Sequence, residues 1–373
     1  MKSNLNLRLI IVIPILCFAF ACQKDNSVAF RSFFLGFSPW LYDNTLQAQS
    51  WTYDKIITYG DIISEHMEEG VPWQESYDNT PFPQSFIDEI QSRMALKGSN
   101  QKVVLQISPL NVSRNGLANY RGTLPNQTLP EEWSNLAFND DKVKGAFLNY
   151  SKRMVQYFSP DYLLVGVESN LLIRNKPEVW SQYVELQQYI YSELKKVYPS
   201  LQISVSMFCV PYFPQWSNED NLEQQINGLK DIEPYVDFIS FSVHPFMSAL
   251  LAESFPDNYL SQLFGLTTKP IAVSESSYSA QVWQTASAPI LTFNGSEEKQ
   301  KNFLRLLLEQ SNKSGAEFVI WFCVRDYDAL WHNALGSSPD ALPWRDTGLY
   351  DEQGNERSAM DLWKSWYGKM FER

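Results

Sequence analysis

Apolar positions along the 373-residue chain recur with two alternating periods. Short strand-like segments, most of them rich in apolar residues, occupy 33–37, 61–66, 102–108, 162–168, 202–208, 237–244, 270–275 and 317–323. Their length and β-branched content are those of strands buried on both faces. Between them the spacing becomes helical. The polar stretch Asn139-Asp140-Asp141 caps a stripe of Val143, Phe147, Tyr150, Met154 and Phe158. Pro177 opens a second stripe through Trp180, Tyr183, Ile190, Leu194 and Val197. Ser296-Glu297-Glu298 starts a third, with Phe303, Leu304, Leu307 and Leu308. Weaker helical patterns cover 45–59, 83–96, 218–232, 257–263 and 357–371. Eight strands alternating with eight helices predict an α/β fold, a (β/α)8 TIM barrel, as a single domain over residues 30–373. The long connections 109–138 and 324–356 follow the third and eighth strands, and long loops in a compact domain are usually functional. With Trp133, Trp331, His332, Trp344 and Arg345 in them, they are expected to wall a cleft.

Residues 1–21 stand outside this pattern. Lys2 and Arg8 precede an apolar run that ends in Ala19-Phe20-Ala21-Cys22, which reads as a secretory signal and is short for a membrane-spanning helix. It resembles a bacterial lipoprotein signal. That resemblance implies Cys22 as the lipidated first mature residue, 22–29 as a tether, and a lipid-anchored protein of the bacterial cell envelope, on the periplasmic face or the cell surface.

Composition narrows the partners. The net charge is −12, and losing Lys2 and Arg8 with the signal takes it from −12 to −14. Such a surface argues against nucleic acid and against polyanionic substrates. Aromatic residues reach 14 %, and their flat faces suit the apolar faces of sugar rings. Cys209 and Cys323 follow apolar runs and read as buried free thiols. The three histidines, His66, His244 and His332, have no metal-site spacing, and no nucleotide-binding glycine loop is present. No metal or cofactor is expected, and a monomer is expected.

Two glutamates carry the candidate chemistry. Glu168 and Glu275 each end an apolar run, in Leu163-Leu164-Val165-Gly166-Val167-Glu168 and Ile271-Ala272-Val273-Ser274-Glu275. An unpaired carboxylate is poor core material, whereas strand C-termini of a barrel line its functional face. Two carboxylates from different strands are the minimum needed to cleave a glycosidic bond.

On the strand count, Glu168 ends the fourth strand and Glu275 the seventh. With the sixth-strand segment Asp237–His244 followed by Pro245, the eighth-strand Phe318-Val319-Ile320-Trp321, and the tail Asp346-Thr347-Gly348-Leu349-Tyr350, the chain resembles the clan of retaining glycoside hydrolases on (β/α)8 barrels, in its endo-galactanase and mannanase-like branches. The resemblance implies a neutral β-linked glycan as substrate, Glu275 as nucleophile and Glu168 as acid/base. It implies Trp321 as the floor of the sugar site. His244 and Tyr278 are the donors nearest Glu275 by strand position. Trp40, Trp73, His66, Asn170 and Gln106 are further candidates for substrate contact. Arg325, Asp326 and Asp328 read as a local salt-bridge network, and Glu65, Glu68, Glu69 and Glu75 as solvated surface. Val167 stands where the clan has an asparagine. That departure keeps a second reading open, a non-catalytic glycan-binding lipoprotein on a degenerate glycosidase barrel.

Overall fold

The computed structural model describes residues 30–217, 219–284 and 292–372. The expected signal, the tether and Cys22 lie outside the described residues. Eight parallel strands form the centre: β1 (Phe34–Phe37), β2 (Ile62–Met67), β3 (Lys102–Ile107), β4 (Tyr162–Leu164), β5 in two pieces (Gln202–Ser204 and Ser206–Phe208), β6 (Ile239–Val243), β7 (Ile271–Ser276) and β8 (Phe318–Trp321). The ladder runs β4-β3-β2-β1-β8-β7-β6, with one piece of β5 at each end. The first piece pairs with β4 and the second with β6, so the sheet closes on itself through a single segment broken at Val205.

The connecting helices are α1 (Leu46–Tyr59), α2 (Gln84–Leu96), α3 (Asp141–Phe158), α4 (Trp180–Val197), α5 (Leu222–Ile232), α6 (Tyr259–Phe264), α7 (Glu297–Lys313) and α8 (Ser358–Tyr367). Their starts follow local chemistry. Thr45 and Ser296 accept from the backbone N–H groups of Ala48 and Lys299, satisfying donors that a helix N-terminus leaves open. The cap of α3 is Asp140, one residue beyond Asn139. Pro177 opens a short 3₁₀ turn, Pro177–Val179, and α4 follows it. Short helices at Trp73–Tyr77, Leu171–Asn175, Ala249–Glu253 and Asp328–Asn333 lie within the loops after β2, β4, β6 and β8.

Strand alternation divides the core in two. Ile62, Val104, Tyr162, Leu164, Phe238, Ala272, Phe318 and Ile320 fill the inside of the barrel. The residues between them in sequence, such as Ile63, Val103, Leu163, Val273, Val319 and Trp321, face the helices. This period of two decides which side chains reach the mouth. No helix among the described residues is long and apolar enough to cross a membrane.

Candidate active site

Both glutamates reach the mouth through departures from regular strand geometry. β6 and β7 pair in register through Phe241↔Val273, and then Ser242 pairs with Glu275. Ser274 is the extra residue of a β-bulge, and bulges re-aim side chains beside functional sites. By plain alternation from Ala272, an inward residue, Glu275 would face the helices; the bulge turns it inward. Glu168 lies past the end of β4 in the left-handed region, φ 48°, which is costly for a residue with a Cβ. The Ser206 hydroxyl holds it there, accepting from the Glu168 N–H at 2.8 Å.

The two carboxylates converge. One oxygen of each, together with a ring nitrogen of His244, lie within 4.8 Å of one another. Ser242 donates its hydroxyl to Glu168 Oε1 at 2.7 Å. His66 lies between two acids: Nδ1 is 3.2 Å from Glu275 Oε1 and Nε2 is 2.8 Å from Glu68 Oε2. Arg114 closes the line, with Nη2 2.9 Å from Glu68 Oε1 and 3.9 Å from Glu168 Oε2. Charges alternate around the mouth as Glu275, His66, Glu68, Arg114, Glu168.

This arrangement separates the two carboxyls electrostatically. Desolvation lifts Glu168, the charge of Glu275 adds to it, and Arg114 and the Ser242 hydrogen bond offset only part, leaving a pKa of about 7. Burial also penalises the Glu275 carboxylate, but the charge and hydrogen bond of His66 outweigh it, and its pKa falls below the ordinary value. Burial disfavours the His66 cation, yet Glu275 and Glu68 push its pKa up to about 10. His244 is the converse: burial outweighs Glu275, its pKa drops to about 4, and it is neutral at pH 7, with Nδ1 2.7 Å from the Ser277 hydroxyl. At neutral pH the site therefore pairs a protonatable carboxyl with an ionised one.

Of the residues expected here, Glu168, Glu275, His66 and His244 come together. Trp40 is 38 % exposed, with its ring 5.5 Å from Phe322 and 5.7 Å from Tyr327. Five expectations need correction. Trp321 is fully buried, with Nε1 donating to the Thr347 carbonyl and its ring 6.0 Å from Phe303 of α7. It faces the helices, and the next residue, Phe322, is the half-buried aromatic near Trp40 and Trp344. Tyr278 is buried with its hydroxyl on the Ala252 carbonyl. Trp73 is buried against Trp133, its Nε1 on the Ala118 carbonyl. Asn170 spends its amide on both the N–H and the carbonyl of Phe208 and on Gln225. Gln106 donates to Ser64 and to the Ser274 carbonyl within the barrel.

The acidic patch is also corrected. Only Glu69 of the four is exposed. Glu65 is fully buried against Arg93, Glu68 is fixed by His66 and Arg114, and Glu75 accepts from Tyr120. The network expected after β8 forms with other partners: Asp326 pairs with Arg357, and Asp328 with Arg345, which also holds Asp346, whereas Arg325 lies over the Tyr42 ring and donates to the Glu352 carbonyl. Cys209 and Cys323 are buried free thiols.

Sequence reading missed Arg114, Glu68, Ser206, Ser242 and Phe322. Arg114 lies in the 109–138 connection, and the signal that could have found it is its place in a long loop after a barrel strand. Glu168, His244 and Glu275, or Asp326, Asp328 and Asp346, are spaced so that they could hold a metal ion. In both clusters cations already occupy the carboxylates: His66 and Arg114 in the first, Arg345 and Arg357 in the second. That charge works against a divalent ion.

No family model and no curated protein matches the sequence. Solved structures do. An exo-β-1,4-mannosidase from Opitutaceae bacterium strain TAV5 aligns with a TM-score of 0.60 at 12 % identity over 89 % of this chain, which spans 58 % of the length of that one. The GH53 catalytic domain of Ignisphaera aggregans aligns with a TM-score of 0.55 at 17 % identity, over 91 % of this chain and 97 % of that one. Xylanase 10B from Thermotoga maritima aligns with a TM-score of 0.56 at 12 % identity, over 92 % and 98 %. These likenesses establish the TIM-barrel fold.

Proposed function

We propose that the protein is a retaining glycoside hydrolase acting on a neutral β-linked glycan. The observation that carries this reading is the pair Glu168 and Glu275, with carboxylate oxygens within 4.8 Å and opposite pKa displacements. Retaining enzymes hold their carboxyls about 5–5.5 Å apart and inverting ones about 6.5–9.5 Å, so the short gap favours retention.

In the proposed double displacement, Glu275, kept ionised by His66, attacks the anomeric carbon. The bond to the leaving oxygen breaks as Glu168 gives that oxygen its proton. Forming the ester removes the charge of Glu275, one of the causes that raise Glu168. The pKa of Glu168 then falls under the hold of Arg114 and Ser242, which suits its second task of taking a proton from water. That water attacks the anomeric carbon, its proton passes to Glu168, the bond from the anomeric carbon to Glu275 breaks, and Glu275 leaves as carboxylate. Trp40, Phe322 and Trp344 are the accessible aromatic faces for a sugar ring. The structural neighbours include a mannosidase, a xylanase and a GH53 domain, and galactan- or mannan-like chains are the first substrates to try.

The glycan-binding alternative rests on Val167, which is buried and offers no polar contact. A panel of neutral plant and microbial polysaccharides, tested with the wild type and Glu275→Gln, separates the two. The hydrolase reading expects turnover that the variant abolishes while binding persists; binding without turnover in both proteins supports the alternative. We also propose anchoring in the bacterial envelope through Cys22, expected to be lost in Cys22→Ser, with the protein released from the membrane fraction.

A further inference from the structure

Glu68 directly follows β2 and sets one carboxylate between two cations. Its Oε2 is 2.8 Å from His66 Nε2 and 3.0 Å from Arg114 Nη2, and its Oε1 is 2.9 Å from the same Nη2. Each of these cations also faces one carboxylate of the pair: His66 Nδ1 is 3.2 Å from Glu275 Oε1, and Arg114 Nη2 is 3.9 Å from Glu168 Oε2. A residue that served only to neutralise a buried arginine would need one of these contacts, not both.

The two loops that supply Glu68 and Arg114 are laced together. The Val71 N–H donates to the Asn119 carbonyl at 2.9 Å, the Arg121 N–H to that of Val71 at 3.0 Å, and the Asn126 N–H to that of Glu69 at 2.8 Å. Gly70 turns the chain at φ 105°, and a Cβ there would lie 2.8 Å from the Asn119 oxygen. Arg114 sits in the left-handed region, φ 49°, with its N–H and Nη1 both donating to the Asn111 carbonyl at 2.9 Å. Nη2 is then the end shared between the two acids, and it lies on Glu68. Resting on the hydrolase reading, we propose that Glu68 is a positioning residue of this site: its carboxylate keeps the His66 cation against Glu275 and holds Arg114 back from Glu168.

The charged and titratable groups around Glu68 come from every side of the mouth. His66 is on β2, Arg114 on the loop after β3, Glu168 after β4 and Glu275 on β7, while Glu69 and His244 act on His66 and Glu275. Burial penalises the Glu68 charge, but Arg114 and His66 outweigh it and hold its pKa below the ordinary value, so it is ionised at neutral pH. Removing that charge takes away one of the two acids that raise His66 and one of the causes that raise Glu168, and it frees Arg114 to close on Glu168. Both pKa values then fall. Glu275 loses a neighbouring negative charge while His66 is still protonated at acid pH, so its own pKa does not rise.

Glu68→Gln in the full chain keeps the size of the side chain and removes its charge. NMR titration of the imidazoles, with His66 assigned through His66→Gln, needs no substrate. His66 should titrate at about 10 in the wild type and lower by about 1 pH unit or more in the variant. In the pH profile of kcat/KM the alkaline limb should move down by about 1 unit, opposite in sign to its shift in Arg114→Met, and the acid limb should not rise. Glu68→Asp, which keeps the charge, should restore roughly half or more of both shifts. A lower kcat or melting temperature with both titrations in place is damage to packing alone; that result, or an alkaline limb that rises, overturns the inference and leaves the hydrolase reading standing. If Glu68→Gln does not fold, Arg114→Met/Glu68→Gln removes the two charges together and, compared with Arg114→Met, should show the same fall in His66. A His66 shift without turnover of any glycan by the wild type removes the hydrolase reading and the role of Glu68 with it.

Discussion

Replacing Glu168 by glutamine is expected to stabilise the protein above neutral pH. The side chain is 19 % exposed, so screening is minor, and burial raises its pKa from 4.5 to about 7 against the partial opposition of Arg114. Because the folded pKa is the higher, the native state binds more protons than the unfolded chain between about pH 4.5 and 7. Stability therefore falls as pH rises through that window. At about 1.4 kcal/mol per pH unit the loss is roughly 3 kcal/mol. A neutral isostere does not suffer it. With an unfolding entropy on the order of 0.7 kcal/mol/K for about 340 residues, the variant should melt about 5 °C above the wild type at pH 8 and close to it at pH 4.5. Circular dichroism melts at the two pH values measure the difference. The same offset at both values, or a variant less stable at pH 8, refutes the claim that the fold holds Glu168 at a cost in stability.

Arg114→Met removes a cation 3.9 Å from Glu168, a pair worth at most roughly 4 kcal/mol at an effective dielectric of about 20 and shared with Glu68. The alkaline limb of kcat/KM, expected near pH 7, should rise by about 1–2 pH units in a pH–rate profile; an unmoved limb contradicts the charge line. His66→Gln removes the cation beside Glu275. A fall in kcat of roughly 100-fold and an acid limb shifted upward are expected, while an unchanged acid limb would mean that His66 does not keep Glu275 ionised. Trp321→Phe should lower stability by roughly 2 kcal/mol, through the lost Thr347 hydrogen bond and a partly empty site. KM should not change; a raised KM would return Trp321 to the sugar site.

The barrel was legible because its signal is repeated. All eight expected strand segments are strands, and the helical stripes are helices with boundary slips of a few residues. The two glutamates were legible as strand-end carboxylates, although the reasons they meet were not. Glu275 faces inward through a bulge at Ser274, and Glu168 through a left-handed backbone, and neither has a sequence pattern here. Trp321 shows the cost of a period of two: misjudging where a strand ends by one residue moves a side chain to the other face, and Phe322 takes the place expected of it. Asn170, Gln106, Trp73 and Tyr278 were placed near the mouth by chain position, yet their polar atoms are used to hold buried backbone and neighbouring side chains. Glu68 and Arg114 stayed hidden because they are 46 residues apart, and only the fold brings them together.

Covalent capture tests the central claim most directly. β-Configured 2-deoxy-2-fluoroglycosyl fluorides of glucose, galactose and mannose slow both steps but leave the first one faster, so the ester accumulates. Peptide mapping by mass spectrometry should find one sugar per chain, bonded to Glu275, and none in Glu275→Gln. A label on Glu168 or elsewhere, or turnover of the unmodified glycoside to a product of inverted configuration, would contradict Glu275 as nucleophile and Glu168 as acid.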